Sequence, residues 1–339
     1  MVGDSQQNQP RPASMIQSRF FLPLLCLLAI SSLVLALLAG SVPIRLPELW
    51  AVVTGSNHGL SQRLILELRL PRALGAFATG GLLSLAGALM QVLVRNPLAD
   101  PYVLGISGGA AVAALLAMLF GLGGVWLTGG AFAGALLAMA LVFGLARGRG
   151  SWTPTRLLLT GVVLAAGWGA LISFILATSP EGNIRGMLFW LMGDLGFVQA
   201  PLPALLVLVF GLVACWPLGR DLNVLIRGEL QAGSLGINSV RLQIILFLLA
   251  SLLTATAVVQ AGSIGFVGLV IPHIMRLMGF TDHRLLLPAA ALAGGSLLVL
   301  ADTLARTVLA PQQLPVGIIT ALLGVPLFLY LLRREVSAR

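Results

Sequence analysis

Between Arg72 and Arg95 the chain reads ALGAFATGGLLSLAGALMQVLV (residues 73–94), twenty-two residues without a charge. A hydrocarbon core about 30 Å thick needs roughly 20 apolar residues per helix. The stretch therefore predicts one membrane-spanning helix closed by an arginine at each end. The same punctuation recurs outward in both directions. Uncharged intervals fall at residues 20–39, 73–94, 157–178, about 198–217, 285–301 and 314–332. Residues 101–146 hold two helices broken near 121–124 and 128–130, and residues 242–275 hold two shorter ones broken at Ala261, Gly262 and Ser263. The sum is an all-α polytopic membrane protein with ten transmembrane helices.

Composition agrees. Of 339 residues 58% are hydrophobic and 9% charged, too little polar surface for a soluble chain of this length. The first interval is longer than a signal-peptide core and its flank Gly40, Ser41, Val42, Pro43 is only weakly cleavage-like, so it is read as a retained helix. Cys26 and Cys215 lie in apolar runs and are read as small hydrophobes rather than a metal pair or disulfide.

Ten spans put both termini on one side. With the termini inside, the inner segments hold 14 Arg and 6 acidic residues, and the outer ones 6 Arg and 5 acidic residues. That excess is what the positive-inside rule expects of cytoplasmic termini. The organisation is then a cytoplasmic tail (1–19), a ten-helix domain (20–332) with a cytoplasmic segment at 218–241, and a second cytoplasmic tail (333–339).

Several function classes are excluded. All twenty cationic side chains are Arg, so the lysine that a phosphate-binding P-loop requires is missing and ATP hydrolysis by that route is closed. The Arg are scattered between apolar runs, which suits membrane orientation and not nucleic acid. Gly105, Gly108 and Gly109 lack the preceding strand and following acid of a dinucleotide fingerprint. No H-E-x-x-H, carboxylate pair or Ser/His/Asp set suggests catalysis. Every Asp and Glu falls at or near an expected span end, and the spans hold only mild polar groups such as Gln91 and Gln260. This argues against an ion-coupled secondary transporter, the principal alternative, since such proteins carry ionisable groups within their spans. His273, beside Pro272 and near Arg276, reads as a helix-end histidine. The 40 glycines suit close helix packing in lipid.

Three polar stretches exceed punctuation. Arg69, Leu70, Pro71 and Arg72 place two arginines outside, against the orientation trend. Arg95, Asn96, Pro97, Leu98, Ala99, Asp100 and Pro101 form an inner turn in which proline pushes Asn96 and Asp100 to extended geometry and either can cap a helix. Residues 220–241, the longest inner segment, mix charges and turn residues as a partner-binding surface would.

At these residues the chain resembles the iron-chelate and vitamin B12 permeases of type II ATP-binding-cassette (ABC) importers. The likeness runs through nearly the whole chain after residue 60. It is most specific at Arg69 to Arg72, at residues 91–105, and at residues 262–276 (GSIGFVGLVIPHIMR). Thr281, Asp282, His283 and Arg284, then residues 301–306 (ADTLAR), then Leu314, Pro315, Val316 and Gly317 continue it. The vitamin B12 members are most alike, and heme and siderophore members share most of the motifs. The resemblance implies a homodimeric pore of ten-helix subunits with an inverted repeat of helices two to five and seven to ten. The like spacing of residues 72–91 and 241–260 is compatible with that repeat. It implies partners as well: two ATP-binding cassette subunits carrying the ATP and Mg²⁺, with no cofactor in this chain, and a periplasmic substrate-binding protein. It assigns binding-protein docking to Arg69, Arg72 and Arg306. The cytoplasmic gate maps to Asn96, Leu98 and Thr155, with Pro154 departing from the vitamin B12 pattern. ATPase coupling maps to Arg227, Gly228, Glu229 and Gly236. The function implied is alternating-access import of a metal chelate into the cytoplasm across a bacterial inner membrane.

Overall fold

The computed structural model describes residues 15–40, 42–55, 59–146, 153–196, 198 and 200–337. Among them every regular element is helical. Helix α1 (Met15–Leu38) is followed by the short α2 (Leu46–Val53) and α3 (Leu60–Arg63). A π-helical stretch (Leu64–Arg69) then runs directly into α4 (Leu70–Leu93). After a 3₁₀ turn (Pro101–Leu104) come α5 (Ile106–Leu119), α6 (Val125–Ala146), α7 (Pro154–Thr178), α8 (Glu181–Leu191) and α9 (Leu202–Cys215). The surface pieces α10 (Gly219–Leu225) and α11 (Glu229–Ser234) lead to α12 (Ser239–Ala261), α13 (Val267–Leu277), α14 (His283–Thr307) and α15 (Val316–Ser337).

Each of the ten expected intervals holds an apolar helix. Among the described residues six helices are long and apolar enough to cross a membrane, and a seventh crossing results if α9 and α10, bent by 67°, count as one. Helices α5 and α13, and the apolar part of α15 (Val316–Leu331), are shorter apolar pieces. At 1.5 Å per residue the 11 residues of α13 cover only about half of a hydrocarbon core. The expected tails are partly helical, because α1 begins at Met15 and α15 runs to Ser337. Residues 1–14 and 338–339 of those tails lie outside the described residues.

Two boundaries differ from the expectation, and both move charge into helices. Arg69 to Arg72 is no loop. Pro71 lacks an N–H and sits in the first turn of α4, where none is needed. The π-helical turn before it lets the Leu70 N–H reach the Ile65 carbonyl, so the helix passes the proline unbroken. Helix α14 continues beyond residue 301, which places Asp302 and Arg306 in its last turns.

Helix α4 is the axis of the bundle. It packs against α14, α12, α13 and α9, and residues 78–93 are all buried. Its glycines make this possible. A Cβ on Gly87 would lie 1.8 Å from the Gly268 carbonyl oxygen, and one on Gly80 would lie 2.2 Å from that of Gly294. Backbones approach there to a distance only glycine permits, which is how helices in lipid gain contact.

The short helices α5 and α13 hold corresponding places after α4 and α12, each entered through irregular backbone. The two irregular segments meet: the Ile264 N–H donates to Tyr102 Oη at 3.1 Å, and Gly268 lies against Pro101 and the Leu83 carbonyl. Non-helical backbone at this depth is tolerated because protein surrounds it.

Candidate functional site

Polar side chains collect at two opposite ends of the bundle. At the end expected outside, a cavity of about 390 Å³ is lined by Arg69, Arg72 and Arg306 with Glu67, Gln313 and Gly196. The three arginines assigned to docking are thus brought together although 234 residues separate Arg72 from Arg306.

The cavity's charge is organised by a residue to which the sequence reading gave no role. Asp302 is 1% exposed and accepts from Arg72 Nε at 3.1 and 3.0 Å and from Arg72 Nη2 at 2.8 Å. Its Oδ2 also lies 3.1 Å from Arg306 Nε, one helical turn on. One carboxylate therefore pairs with two guanidinium groups, and with Arg72 it does so in the bidentate geometry arginine suits. Arg72 Nη1 donates to Gln313 Oε1 at 2.7 Å, and Arg72 Nη2 lies 3.8 Å from Asp194. Asp194 Oδ1 accepts from the Gly196 N–H at 2.9 Å. Burial raises the Asp194 carboxyl above its ordinary range, against the pull of that N–H and of Arg72.

Arg69 is engaged differently. Its Nη1 donates to the Leu37 and Leu38 carbonyls at 2.7 and 3.0 Å, and its Nη2 to Val42. It caps the C-terminal carbonyls of α1, the end of a helix dipole that favours a cation. The three arginines are thus not free cations: Arg69 holds α1, and Arg72 and Arg306 share Asp302. The signal that could have revealed Asp302 was its spacing of four residues before Arg306 at a helix end.

At the opposite end α4 stops in a double-bonded cap. The Arg95 N–H reaches the Val92 carbonyl at 3.2 Å and the Asn96 N–H reaches that of Gln91 at 3.1 Å. This pattern needs a left-handed residue, usually glycine, and here Arg95 takes it at φ 54°. Its side chain accounts for the choice. Arg95 Nη2 pairs with Glu229 Oε1 at 2.6 Å, and Gln243 Nε2 donates to the same oxygen at 3.1 Å. The inner turn is thereby joined to α11, within the segment from Arg227 to Gly236.

The rest of that turn is locally bonded. Asn96 Oδ1 accepts from the Leu98 N–H at 2.9 Å, and Leu98 is exposed. Asp100 accepts from the Tyr102 N–H at 2.8 Å. Burial raises the Asp100 carboxyl to about 6 despite that bond. Thr155 stands exposed in the first turn of α7, whose cap is Thr153, accepting from the Arg156 N–H at 3.4 Å. Among the described residues no hydrogen bond joins Thr155 to the 96–98 turn, so those two gate assignments are not brought together. Arg227, Gly228 (φ 126°) and Gly236 (φ 79°) shape the turns around α11.

Two further polar links tie this end to the core. Gln91 donates to the Leu269 carbonyl at 3.0 Å and accepts from Arg276. Asn223 of α10 donates to Asp282 at 2.8 Å and accepts from the His283 backbone N–H at 3.0 Å. Burial tends to raise the Asp282 carboxyl, but the bonds from Asn223 and from the Arg284 N–H outweigh it and hold it below its ordinary value. His273 is buried within α13.

Comparison with known proteins places the geometry in context. The FecCD transport family matches residues 27–334. An uncharacterized ABC transporter permease, YvrB of Bacillus subtilis, is 40% identical over 323 residues, 90% of each chain. The vitamin B12 import system permease BtuC of Escherichia coli is 41% identical over 316 residues, 91% of this chain and 94% of its own. A solved structure described as an inward-facing conformation of a metal-chelate type ABC transporter superposes with a TM-score of 0.84 at 30% identity, covering 93% of this chain and 99% of its own.

Proposed function

We propose that this chain, which belongs to the FecCD transport family and is the permease subunit of an ABC importer, carries a metal chelate inward as one half of a homodimer. The observation that carries this reading is the outer cavity, where arginines from two helices remote in sequence line one opening. An acidic side chain of a periplasmic substrate-binding protein would meet Arg69, Arg72 and Arg306 there, in a setting suited to carboxylate recognition.

The opposite face supports a second partner. The Arg95–Glu229 pair gives a pull on α11 a direct route to the turn at Asn96 and Leu98, and the ATP-binding cassette subunits, which carry ATP and Mg²⁺, would grip the segment around Arg227 to Gly236. A second copy of the chain would cover α7. Leu159, Val162, Val163, Leu171 and Phe174 are exposed along it, and Gly167 and Gly169 have open space at their Cβ positions. The pathway then runs between the copies, with both termini cytoplasmic, in a bacterial inner membrane. Rocking of the subunits would open it to one side and then the other.

Cobalamin leads among the cargoes, on the strength of the vitamin B12 relative. The deciding experiment assembles the permease with its ATPase and binding protein in nanodiscs and compares cobalamin, heme and ferric siderophores. The reading expects one chelate to raise ATP hydrolysis when presented by the binding protein. Hydrolysis indifferent to all three would overturn the cargo class.

A further inference from the structure

We infer that Asp194 is a built-in stand-in for the docking partner's carboxylate: it occupies the place beside Arg72 that an acidic side chain takes on docking, and its release is passed to the outer ends of α12 and α15. The inference rests on the docking role proposed for Arg72, and adds to it the residue that sets docking strength and couples docking to the bundle.

The two carboxylates around Arg72 are unequal. Asp302 is 1% exposed, lies 2.8 Å from Nη2 and is held by Arg306 as well. An incoming acid cannot displace it without stripping two cations. Asp194 has a 14% exposed side chain and lies 3.8 Å from the same nitrogen, beyond hydrogen-bond distance. Nη2 carries two hydrogens, so a carboxylate entering the cavity can approach it more closely than Asp194 does. Two carboxylates crowding one N–H repel, and the more weakly held one yields.

Asp194 is also placed to transmit its displacement. Its backbone N–H donates to the Ala261 carbonyl at 2.9 Å, where α12 ends, and the neighbouring Gly193 carbonyl accepts from the Gly317 N–H at 3.4 Å, where α15 begins. Gly193 is packed so closely on Ser263 and Ile264 that an added Cβ would meet them at 2.8 and 2.6 Å. Asp194 further lines a second outer cavity with Trp190, Gln260 and Thr128. Asp194 thus lines the neighbouring cavity while the next two residues, Leu195 and Gly196, line the docking cavity, all on a segment bonded to the break between α12 and α13. An exchange of carboxylates at Arg72 frees that segment only when a partner is present.

The test uses the complete transporter in nanodiscs with the binding protein that co-purifies from its native host. Asp194→Asn keeps the shape and the Gly196 contact but removes the competing charge. Docking should tighten by about threefold to fivefold, the scale of a partly exposed ion pair. ATP hydrolysis without binding protein should rise to the rate of the docked wild-type complex, and Asp194→Glu should restore both. Asp194→Ser serves if the amide variant does not assemble. Weaker or unchanged docking, or unaltered basal hydrolysis, overturns the inference. Arg72→Glu in the otherwise natural chain separates the two ideas. If it leaves docking intact, the docking role itself fails. If it abolishes docking while Asp194→Asn changes nothing, only the role of Asp194 fails.

Discussion

Asp302→Asn is the sharpest perturbation the structure offers, because one buried carboxylate is shared by Arg72 and Arg306. Their side chains are only 11% and 8% exposed. At about 3 Å and an effective dielectric near 20, each pair is worth roughly 5 kcal/mol of Coulomb attraction before desolvation is subtracted. Removing one partner of a buried pair costs about 3–5 kcal/mol, since the other charge stays buried and uncompensated. Arg72 keeps Asp194 at 3.8 Å, so the lower end, about 3 kcal/mol, is the working figure. The assay is the thermal melt of the purified chain in detergent, read by retention of a monodisperse peak. The midpoint should fall by about 5 °C or more. The double variant Asp302→Leu with Arg306→Met, which removes charge of both signs, should recover part of that loss, because apolar replacements of buried pairs are often neutral. A single variant that melts within about 1 °C of the natural chain would refute the view that Asp302 neutralises the outer arginines.

Three other predictions follow from separate features. Gly87→Val should prevent accumulation of folded protein, since even a Cβ would sit 1.8 Å from the Gly268 carbonyl; membrane yield and monodispersity measure it, with Gly167→Ala, which has open space at its Cβ, as the neutral control. Arg95→Gly should leave the melt unchanged or raise it, because glycine removes a left-handed cost of about 1 kcal/mol, while transport-coupled ATP hydrolysis falls with the loss of the Glu229 link; a fall in stability without loss of coupling would contradict this. Asp100→Asn should stabilise the chain at pH 7.5 and not at pH 4. The Asp100 carboxyl is raised from its ordinary value to about 6, so the folded state binds more protons than the unfolded one between about pH 4 and 6, and stability falls as pH rises through that window. Melts of both chains across pH 4–8 show whether the difference opens there.

The helices were legible because charge punctuation in lipid is a strong signal: arginines bracket residues 73–94, and α4 follows. What moved was where helices end. Asp302 and Arg306 read as a span boundary because a charge in a hydrocarbon core is costly. Folded, they neutralise one another and Arg72, and the helix continues through them. Arg69 to Arg72 read as the outer flank of the span that starts at residue 73, and the π-helical turn that carries the helix past Pro71 leaves no mark in composition. The docking assignment to Arg69, Arg72 and Arg306 rests on the family likeness and an anomaly in orientation. Asp302 had a local signal in its spacing from Arg306, but Asp194 and Arg72 lie far from it in sequence, and no local spacing reveals that they meet it. Arg95 was legible as the start of an inner turn, but its left-handed backbone and its bond to Glu229 depend on where α11 lies.

The central claim is that this permease works by the ATP cycle of a partner and by no ion gradient of its own. Uptake of the cargo chelate into proteoliposomes tests it directly, with the permease alone under a proton or sodium gradient in one arm and the permease with ATPase, binding protein and ATP in the other. The account predicts uptake only in the second arm, lost when ATP is replaced by a non-hydrolysable analogue. Gradient-driven uptake by the permease alone would contradict it.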